Sequence, residues 1–218
     1  MNSNRCYVFG AGERYGAPPI ISSGDWVIAA DGGYEFALSC YIQPNLLIGD
    51  FDSLTERPKG IETISLPCKK DDTDLLAALR VGWERGFRTF HILGGMGGRI
   101  DHTVANIQCL AWIARLGGQA FLYDRDVVLT IIYNGCYDLG EHATGVISVF
   151  AFGNIAEGVT IHGLDYEVTE QTLTNSYPLG ISNEFIGKHA MVSVKRGALL
   201  LIFPQSCLQD EVPPRENV

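Results

Sequence analysis

Aspartates gather where apolar runs give way to turns, and their spacing suits chemistry on a cation-bound polyanion. The segment Leu46-Leu47-Ile48-Gly49-Asp50-Phe51-Asp52-Ser53 leads a strand-like run straight into Asp50 and Asp52. In extended backbone the i, i+2 spacing directs both carboxylates to one side. Gly49 permits a tight turn or the close approach of a ligand. A second cluster, Lys69-Lys70-Asp71-Asp72-Thr73-Asp74, opens a predicted helix. An acidic residue in a first turn is an ordinary cap that complements the helix dipole, and Asp72 is read that way. Three carboxylates beside two lysines exceed what a cap requires. Asp71 and Asp74 lie three apart and share a helix face, as oxygen ligands of a hard cation such as magnesium would.

A third segment, Gly94-Gly95-Met96-Gly97-Gly98-Arg99-Ile100-Asp101-His102, stands between a strand ending at Leu93 and a helix predicted from Thr103. Glycines there let backbone N–H groups approach a phosphate, and the helix N-terminus favours an anion. The segment is neither a Walker A loop nor the GxGxxG dinucleotide fingerprint, and a plain turn also accounts for its glycines. Asp101 serves equally as a helix cap or as a ligand-binding acid, whereas His102 near a helix start is read as a structural hydrogen-bonding residue. Asp31-Gly32-Gly33 follows another strand. A strand-to-helix turn explains its glycines without demanding Asp31.

The elements that must position these groups alternate in the first 125 residues. Strands are expected over Cys6–Phe9, Trp26–Ala30, Leu46–Ile48, Ile61–Leu66, Thr89–Leu93 and Ala120–Tyr123. Between them, Thr73–Arg85 carries Leu75, Leu76, Leu79 and Trp83 on one face, and Thr103–Leu116 carries Ile107, Leu110, Ala111 and Ala114. Alternation of this kind predicts a mostly parallel sheet covered by helices, with ligands beyond the strands' carboxyl ends. After Arg125 the helical period ends. Short runs take over at Val127–Tyr133, Val146–Ala151, Val159–His162, Ala190–Lys195 and Leu199–Phe203, punctuated by Asn134-Gly135 and Arg196-Gly197. The fold class is therefore an N-terminal α/β domain over 1–136, a C-terminal all-β sandwich over 137–209, and a loose polar tail over 210–218.

Composition narrows the partners. The 218 residues are 46% hydrophobic and 19% charged, with a net charge of −9, so a basic nucleic-acid surface is excluded. No apolar run reaches the length of a membrane-spanning helix, and the first residues lack a signal-peptide pattern, so a cytoplasmic protein is expected. Six cysteines stand singly, without a CxxC pair, as reduced and mostly buried thiols.

In order and spacing, the motifs Ala30-Asp31-Gly32-Gly33, Gly49-Asp50-Phe51-Asp52-Ser53, Lys70-Asp71-Asp72-Thr73-Asp74, Gly94 to His102 and Ser182-Asn183-Glu184-Phe185 resemble those of the thiamine pyrophosphokinase family. The likeness spans residues 6 to 203. It implies an enzyme that moves the diphosphate group of ATP to the hydroxyl of thiamine, giving AMP, with Mg2+. It also implies a homodimer whose active sites lie between subunits. By the resemblance, Asp50, Asp52 and Asp74 look like magnesium-binding acids, and Asp71 and Thr73 like their partners in the catalytic site. Asp31, Lys70, Arg99, Asp101 and His102 look like the ATP site, and Ser182 and Asn183 like the thiamine pocket. The family's GLKY segment appears here as Gly163-Leu164-Asp165-Tyr166, with an acid in place of a base. On the same aspartate logic the alternatives are another magnesium-dependent small-molecule kinase or pyrophosphokinase, or a thiamine or nucleotide sensor without catalysis.

Overall fold

The computed structural model describes residues 4–15, 20–51, 60–67 and 72–208. The chain divides into two compact units, with the boundary between Arg125 and Asp126.

The first unit is a six-stranded parallel sheet with three helices. Its strands are β1 (Arg5–Phe9), β2 (Trp26–Ala30), β3 (Leu46–Gly49), β4 (Glu62–Ser65), β5 (Thr89–Leu93) and β6 (Gln119–Tyr123). The helices are α1 (Gly33–Ser39), α2 (Asp74–Glu84) and α3 (Ile100–Arg115). Spatial order runs β4-β3-β2-β1-β5-β6, and every pair is parallel. The chain thus winds outward from β1 to β4, then returns to lay β5 on the other side of β1. That reversal creates a switch point between β1 and β5, where the connections to β2 and β6 lead away in opposite directions, the place where open α/β sheets bind ligands. The inner strands are apolar on both faces, as a covered parallel sheet requires: Tyr7, Phe9, Ile28, Leu46, Leu47, Phe90 and Ile92 are fully buried.

The helices meet this sheet along stripes that differ in detail from the sequence expectation. In α2 the buried positions are Leu75, Ala78, Leu79 and Gly82, an i, i+3, i+4, i+7 stripe. Leu76 and Trp83 flank it, half-buried, and Trp83 lies 6.5 Å from Trp112. Gly82 belongs to the stripe because a Cβ there would stand 2.7 Å from the Phe90 ring. The third helix begins at Ile100 rather than Thr103, which brings Asp101 and His102 into its first turn. Its buried face carries Asn106, Cys109, Leu110 and Ile113, with Ile107 half-buried at the margin.

The second unit is all-β and antiparallel, with strands β7 (Val127–Tyr133), β8 (Cys136–Gly140), β9 (Val146–His162), β10 (Val168–Thr174), β11 (Gly180–Glu184), β12 (Ala190–Ser193) and β13 (Arg196–Pro204). Strand β9 is its spine. Its first part, up to Phe152, pairs β13 on one side and β11 on the other, while its second part pairs β12 and β10 and meets β13 once more at Glu157. Gly153, at φ 102°, and Gly158, at φ 63°, lie where the partners change, a backbone that side chains rarely adopt. The two runs expected at Val146–Ala151 and Val159–His162 are therefore one strand.

Cys6, Cys109 and Cys207 are buried free thiols, Cys40 is half-buried and Cys136 exposed. Among the described residues no helix is long and apolar enough to cross a membrane. The expected tail over 210–218 lies outside the described residues.

Candidate active site

The loops after β1 and β5 run back to back. The Gly10 and Gly12 amides donate to Leu93 O and Gly94 O, each at 2.7 Å, and the Glu13 amide donates to Met96 O at 2.9 Å. This approach excludes side chains: a Cβ on Gly10 would lie 2.7 Å from Gly94 O, and one on Gly12 would lie 2.5 Å from Met96 O. Gly94, Gly97 and Gly98 have φ of 64°, 79° and 64°, so the loop turns through left-handed positions that glycine alone adopts freely.

Above this junction lies a pocket of about 700 Å³. One wall is backbone, from Gly10–Gly12 and the Gly94–Gly98 segment. The other wall is acidic, from Asp31, Asp50, Asp72 and Asp74, and Arg99, His102 and Asn106 complete the lining. Asp31 directly follows β2 at φ 47°, a conformation for which aspartate is one of the better-suited residues, and its amide donates to Ile48 O at 2.8 Å. Asp50 follows β3 directly and precedes Phe51, which is held at φ 61° with its side chain buried against Ala29 and Leu47. Gly49 lets these two strand ends close up, since a Cβ there would sit 3.2 Å from Asp31 Cα.

At the start of α2 the cap is Thr73, not Asp72. The Thr73 hydroxyl accepts from the Leu76 amide at 3.2 Å, and Asp74 occupies the first helical position. Relieved of capping, Asp72 lines the pocket and pairs with Arg80 at 2.9 Å, two turns further along the same helix. Burial, and after it the Asp72 carboxylate, pushes the Cys109 thiol up to about 11.

Arg99 is the N-cap residue of α3 without a side-chain cap bond, and Asp101 in the first turn accepts the His102 amide through Oδ1 at 3.0 Å. Asp101 is exposed and holds the Arg99 guanidinium through two bonds, at 3.1 Å to Nε and 2.5 Å to Nη2. Their mutual hydrogen bonding raises the Arg99 pKa and lowers that of Asp101. Asp101 is thus bound to Arg99, which lines the pocket, and is not itself part of the lining. Asp52, Lys70 and Asp71 lie outside the described residues. Among the described residues no three His, Cys, Asp or Glu side chains form a metal-ligand cluster.

In the second unit, Ser182 sits on β11 at φ 56°, within a register shift between Gly180 and Asn183, and its amide donates to the Ser148 hydroxyl at 3.1 Å. Asn183 is buried, 4% exposed, and spends its side chain on backbone. Its Oδ1 accepts from the Tyr166 and Glu184 amides, each at 2.9 Å, and its Nδ2 donates to Tyr166 O at 2.7 Å. With the Asp165 amide donating to Glu184 O at 3.0 Å, this clamps the 163–166 turn onto β11 and displays Tyr166, 70% exposed.

Comparison with known proteins bears on what this architecture serves. A family model described as "Thiamin pyrophosphokinase, catalytic domain" matches residues 17–122, and one described as "Thiamin pyrophosphokinase, vitamin B1 binding domain" matches residues 137–199. The thiamine pyrophosphokinase of Bacillus subtilis is 30% identical over 182 residues, covering 80% of this chain and 85% of that protein. This chain belongs to the thiamine pyrophosphokinase family. The crystal structure of the B. subtilis thiamine pyrophosphokinase superposes with a TM-score of 0.81 at 26% identity, covering 92% of this chain and 99% of that one. That of the Geobacillus thermodenitrificans thiamin pyrophosphokinase gives 0.81 at 27%, covering 94% and 100%.

Within a thiamine pyrophosphokinase fold, three features of this pocket escape a reading of motifs. The Gly10–Gly12 wall depends on a non-local pairing of two loops and leaves no local signal. Asp72 looked like a cap because its neighbour's role was not distinguishable. Asn106 had a detectable signature: it is the polar residue on an otherwise apolar i, i+3, i+4, i+7 stripe of α3, Asn106, Cys109, Leu110 and Ile113.

Proposed function

We propose that this chain is a diphosphotransferase that moves the diphosphate group of ATP to the hydroxyl of thiamine, releasing AMP and thiamine diphosphate. Family membership supports the reaction, and the observation that carries its assignment to a place is one pocket at the β1–β5 switch point lined by glycine backbone and by carboxylates. Backbone N–H groups of the Gly94–Gly98 loop and of the starts of α2 and α3 suit phosphate oxygens. Carboxylates beside a polyphosphate are repulsive without a cation, and hard oxygen donors are what magnesium prefers. Asp50 and Asp74 would hold Mg2+, with Asp52 completing the set. The ion, when bound, supplies charge neutralisation along the phosphate chain.

The chain's own residues then orient the reactants. Thr73 fixes the first turn of α2 and with it the direction of Asp74. Asp31 lines the same site, to which the resemblance assigns Asp71 and Lys70, outside the described residues; Arg99 would offer a cation to the phosphates, with Asp101 steadying it and His102 in the pocket lining. Transfer of this kind needs positioning and electrostatic stabilisation rather than a covalent intermediate, and good orientation is worth roughly 7–11 kcal/mol.

Residues 1–136 form the nucleotide-binding catalytic domain in this reading, and 137–209 bind thiamine and dimerise. Ser182 contacts thiamine, and Asn183 holds the turn that displays Tyr166. Exposed apolar side chains around β11, namely Tyr177, Leu179, Ile181 and Ile186, support a homodimer with sites at the interface. Charge and the absence of an apolar spanning helix among the described residues are consistent with a cytoplasmic enzyme.

The test is incubation with ATP, magnesium and thiamine, followed by separation of the nucleotides. AMP and thiamine diphosphate in equal amounts are expected. ADP would identify an ordinary kinase, and no nucleotide turnover would identify a sensor. Mixed dimers that carry Asp50→Asn and Ser182→Ala on separate chains test whether the sites are shared.

A further inference from the structure

We propose that Asn106 is a positioning residue for nucleotide binding: its side-chain amide sets the conformation of the glycine loop that forms the pocket's backbone wall. This rests on the nucleotide pocket assigned above. Asn106 lies in the first half of α3, 6% exposed, on the face otherwise filled by Cys109, Leu110 and Ile113. A polar side chain on that face needs a hydrogen-bond partner, and its Nδ2 donates to Gly95 O at 2.7 Å. The residue also lines the pocket.

The bond matters because of where Gly95 stands. Its neighbours on either side, Gly94 and Gly97–Gly98, adopt left-handed φ and lack side chains that would restrict them. A loop so rich in glycine has many alternatives to lose on ordering. Gly95 itself is wedged, since a Cβ there would lie 2.6 Å from Leu122 and 3.1 Å from Ile92 side-chain carbons. Pinning its carbonyl to α3 fixes the plane of the Gly95–Met96 peptide, and planarity sends the Met96 N–H to the opposite side. The Met96 carbonyl then receives the Glu13 amide at 2.9 Å, which ties the loop to the one after β1. Asn106, Gly95, Met96 and Glu13 thus form one chain of restraint from α3 across the glycine loop to its neighbour. Gly97 and Gly98, which follow, inherit their placement from it.

The decisive variant is Asn106→Asp, of equal size, which replaces the N–H donor by a carboxylate facing the Gly95 carbonyl. At about pH 8 the introduced group is ionised and repels that carbonyl. Burial and the facing carbonyl raise the pKa of the introduced carboxyl above the ordinary value of about 3.9, so acidification towards about pH 5.5 adds the proton that makes it a donor and restores the bond. The pocket's own titratable and charged groups, Asp31, Asp50, Asp72, Asp74, Arg99 and His102, are common to variant and wild type, so their contributions cancel in a ratio of affinities at one pH.

Dissociation constants for ATP with magnesium are measured by calorimetry, beside the thermal midpoint. Asn106→Asp is expected to weaken ATP binding about tenfold at the higher pH, the factor carried by about 1.4 kcal/mol. The ratio to wild type narrows at the lower pH. Asn106→Ala weakens ATP binding by a similar factor with no narrowing, and thiamine affinity stays unchanged in both. A residue that only stabilises the fold would lower the midpoint and leave the ATP constants of the folded protein alone, and that result overturns the proposal. If Asn106→Asp does not fold, Asn106→Ala decides: ATP affinity within twofold of wild type overturns it equally. Wild type that binds ATP but makes no AMP with thiamine removes the proposed reaction and leaves this inference standing, whereas wild type without ATP affinity removes both.

Discussion

His91 makes the α/β unit acid-sensitive by an amount that its surroundings set. The residue lies in β5, 4% exposed, with its ring stacked on Tyr7 at 4.8 Å and on Phe121 at 5.3 Å. Its Nδ1 shares a hydrogen bond with the Tyr123 hydroxyl at 2.8 Å. Burial, and to a lesser degree the nearby Arg5 charge, lowers its pKa from the ordinary 6.5 to about 3. The folded state therefore keeps the imidazole neutral at a pH where the unfolded chain takes up a proton. Unfolded protein binds more protons throughout that window, so stability is complete above pH 6.5 and falls as the pH drops towards 3. Each pH unit in the window is worth about 1.36 kcal/mol, which gives a loss of about 2 kcal/mol by pH 5. For a domain of this size the shift in Tm is on the order of 6–10 °C.

The perturbation that isolates the effect is His91→Phe, which keeps an aromatic ring between Tyr7 and Phe121 and removes the titration. Losing the bond to Tyr123 costs about 1 kcal/mol at every pH. The variant should thus be the less stable protein at pH 8 and the more stable one near pH 5, with the curves crossing between. Urea melts at several pH values, followed by tryptophan fluorescence, measure both. Parallel losses in wild type and variant over the whole range would falsify the reasoning, because the acid sensitivity would then belong to other groups.

Three further outcomes are expected. Asp50→Asn abolishes AMP formation while Tm moves by less than about 2 °C, since an isosteric change in the pocket lining removes charge and little packing; an unfolded variant would mark Asp50 as structural. Thr73→Ala lowers stability by about 1 kcal/mol through the lost cap and Thr73→Ser recovers most of it, as read from urea melts; equal stability of both with wild type would refute the capping role. Asn183→Ala leaves the Tyr166 and Glu184 backbone groups without their partner, destabilises the β unit by about 2–3 kcal/mol and raises the KM for thiamine more than that for ATP; an unchanged thiamine KM in folded protein would separate the 163–166 turn from the substrate.

What could be read from residues alone was decided by how local the determinants are. Trp26–Ala30, Thr89–Leu93 and Val127–Tyr133 coincide with strands because each is a compact apolar or β-branched run. Val168–Thr174 and Gly180–Glu184 gave no strand signal: each has one buried position, the rest being polar or exposed, and each exists because β9 offers it a partner. The start of α3 was placed three residues late because Arg99 caps it without a side-chain bond, leaving nothing in the sequence to mark the boundary. Of the acidic half of the pocket, Asp31, Asp50 and Asp74 were legible, since carboxylates at strand ends have few other reasons to cluster, whereas Asp72 passed for a cap. Its backbone half was not, because the pairing of Gly10–Gly12 with Gly94–Met96 depends on β1 and β5 becoming neighbours after the chain reverses.

The order Gly49-Asp50-Phe51 shows how the two halves are reconciled. An acid aimed into a pocket must leave the strand direction abruptly, and Phe51 supplies the turn at φ 61°. For a bulky side chain that conformation is unfavourable by about 1–2 kcal/mol. Burial of an aromatic side chain stabilises by about 1.5–3 kcal/mol, and Phe51 is 7% exposed against Ala29 and Leu47, with Tyr34 and Ile61 packed around it. The packing therefore offsets the strain with little to spare. A glycine at that position would relax the backbone and lose the anchor. An aromatic residue beside the acid makes the acid's orientation a property of the hydrophobic core, fixed before any ligand arrives.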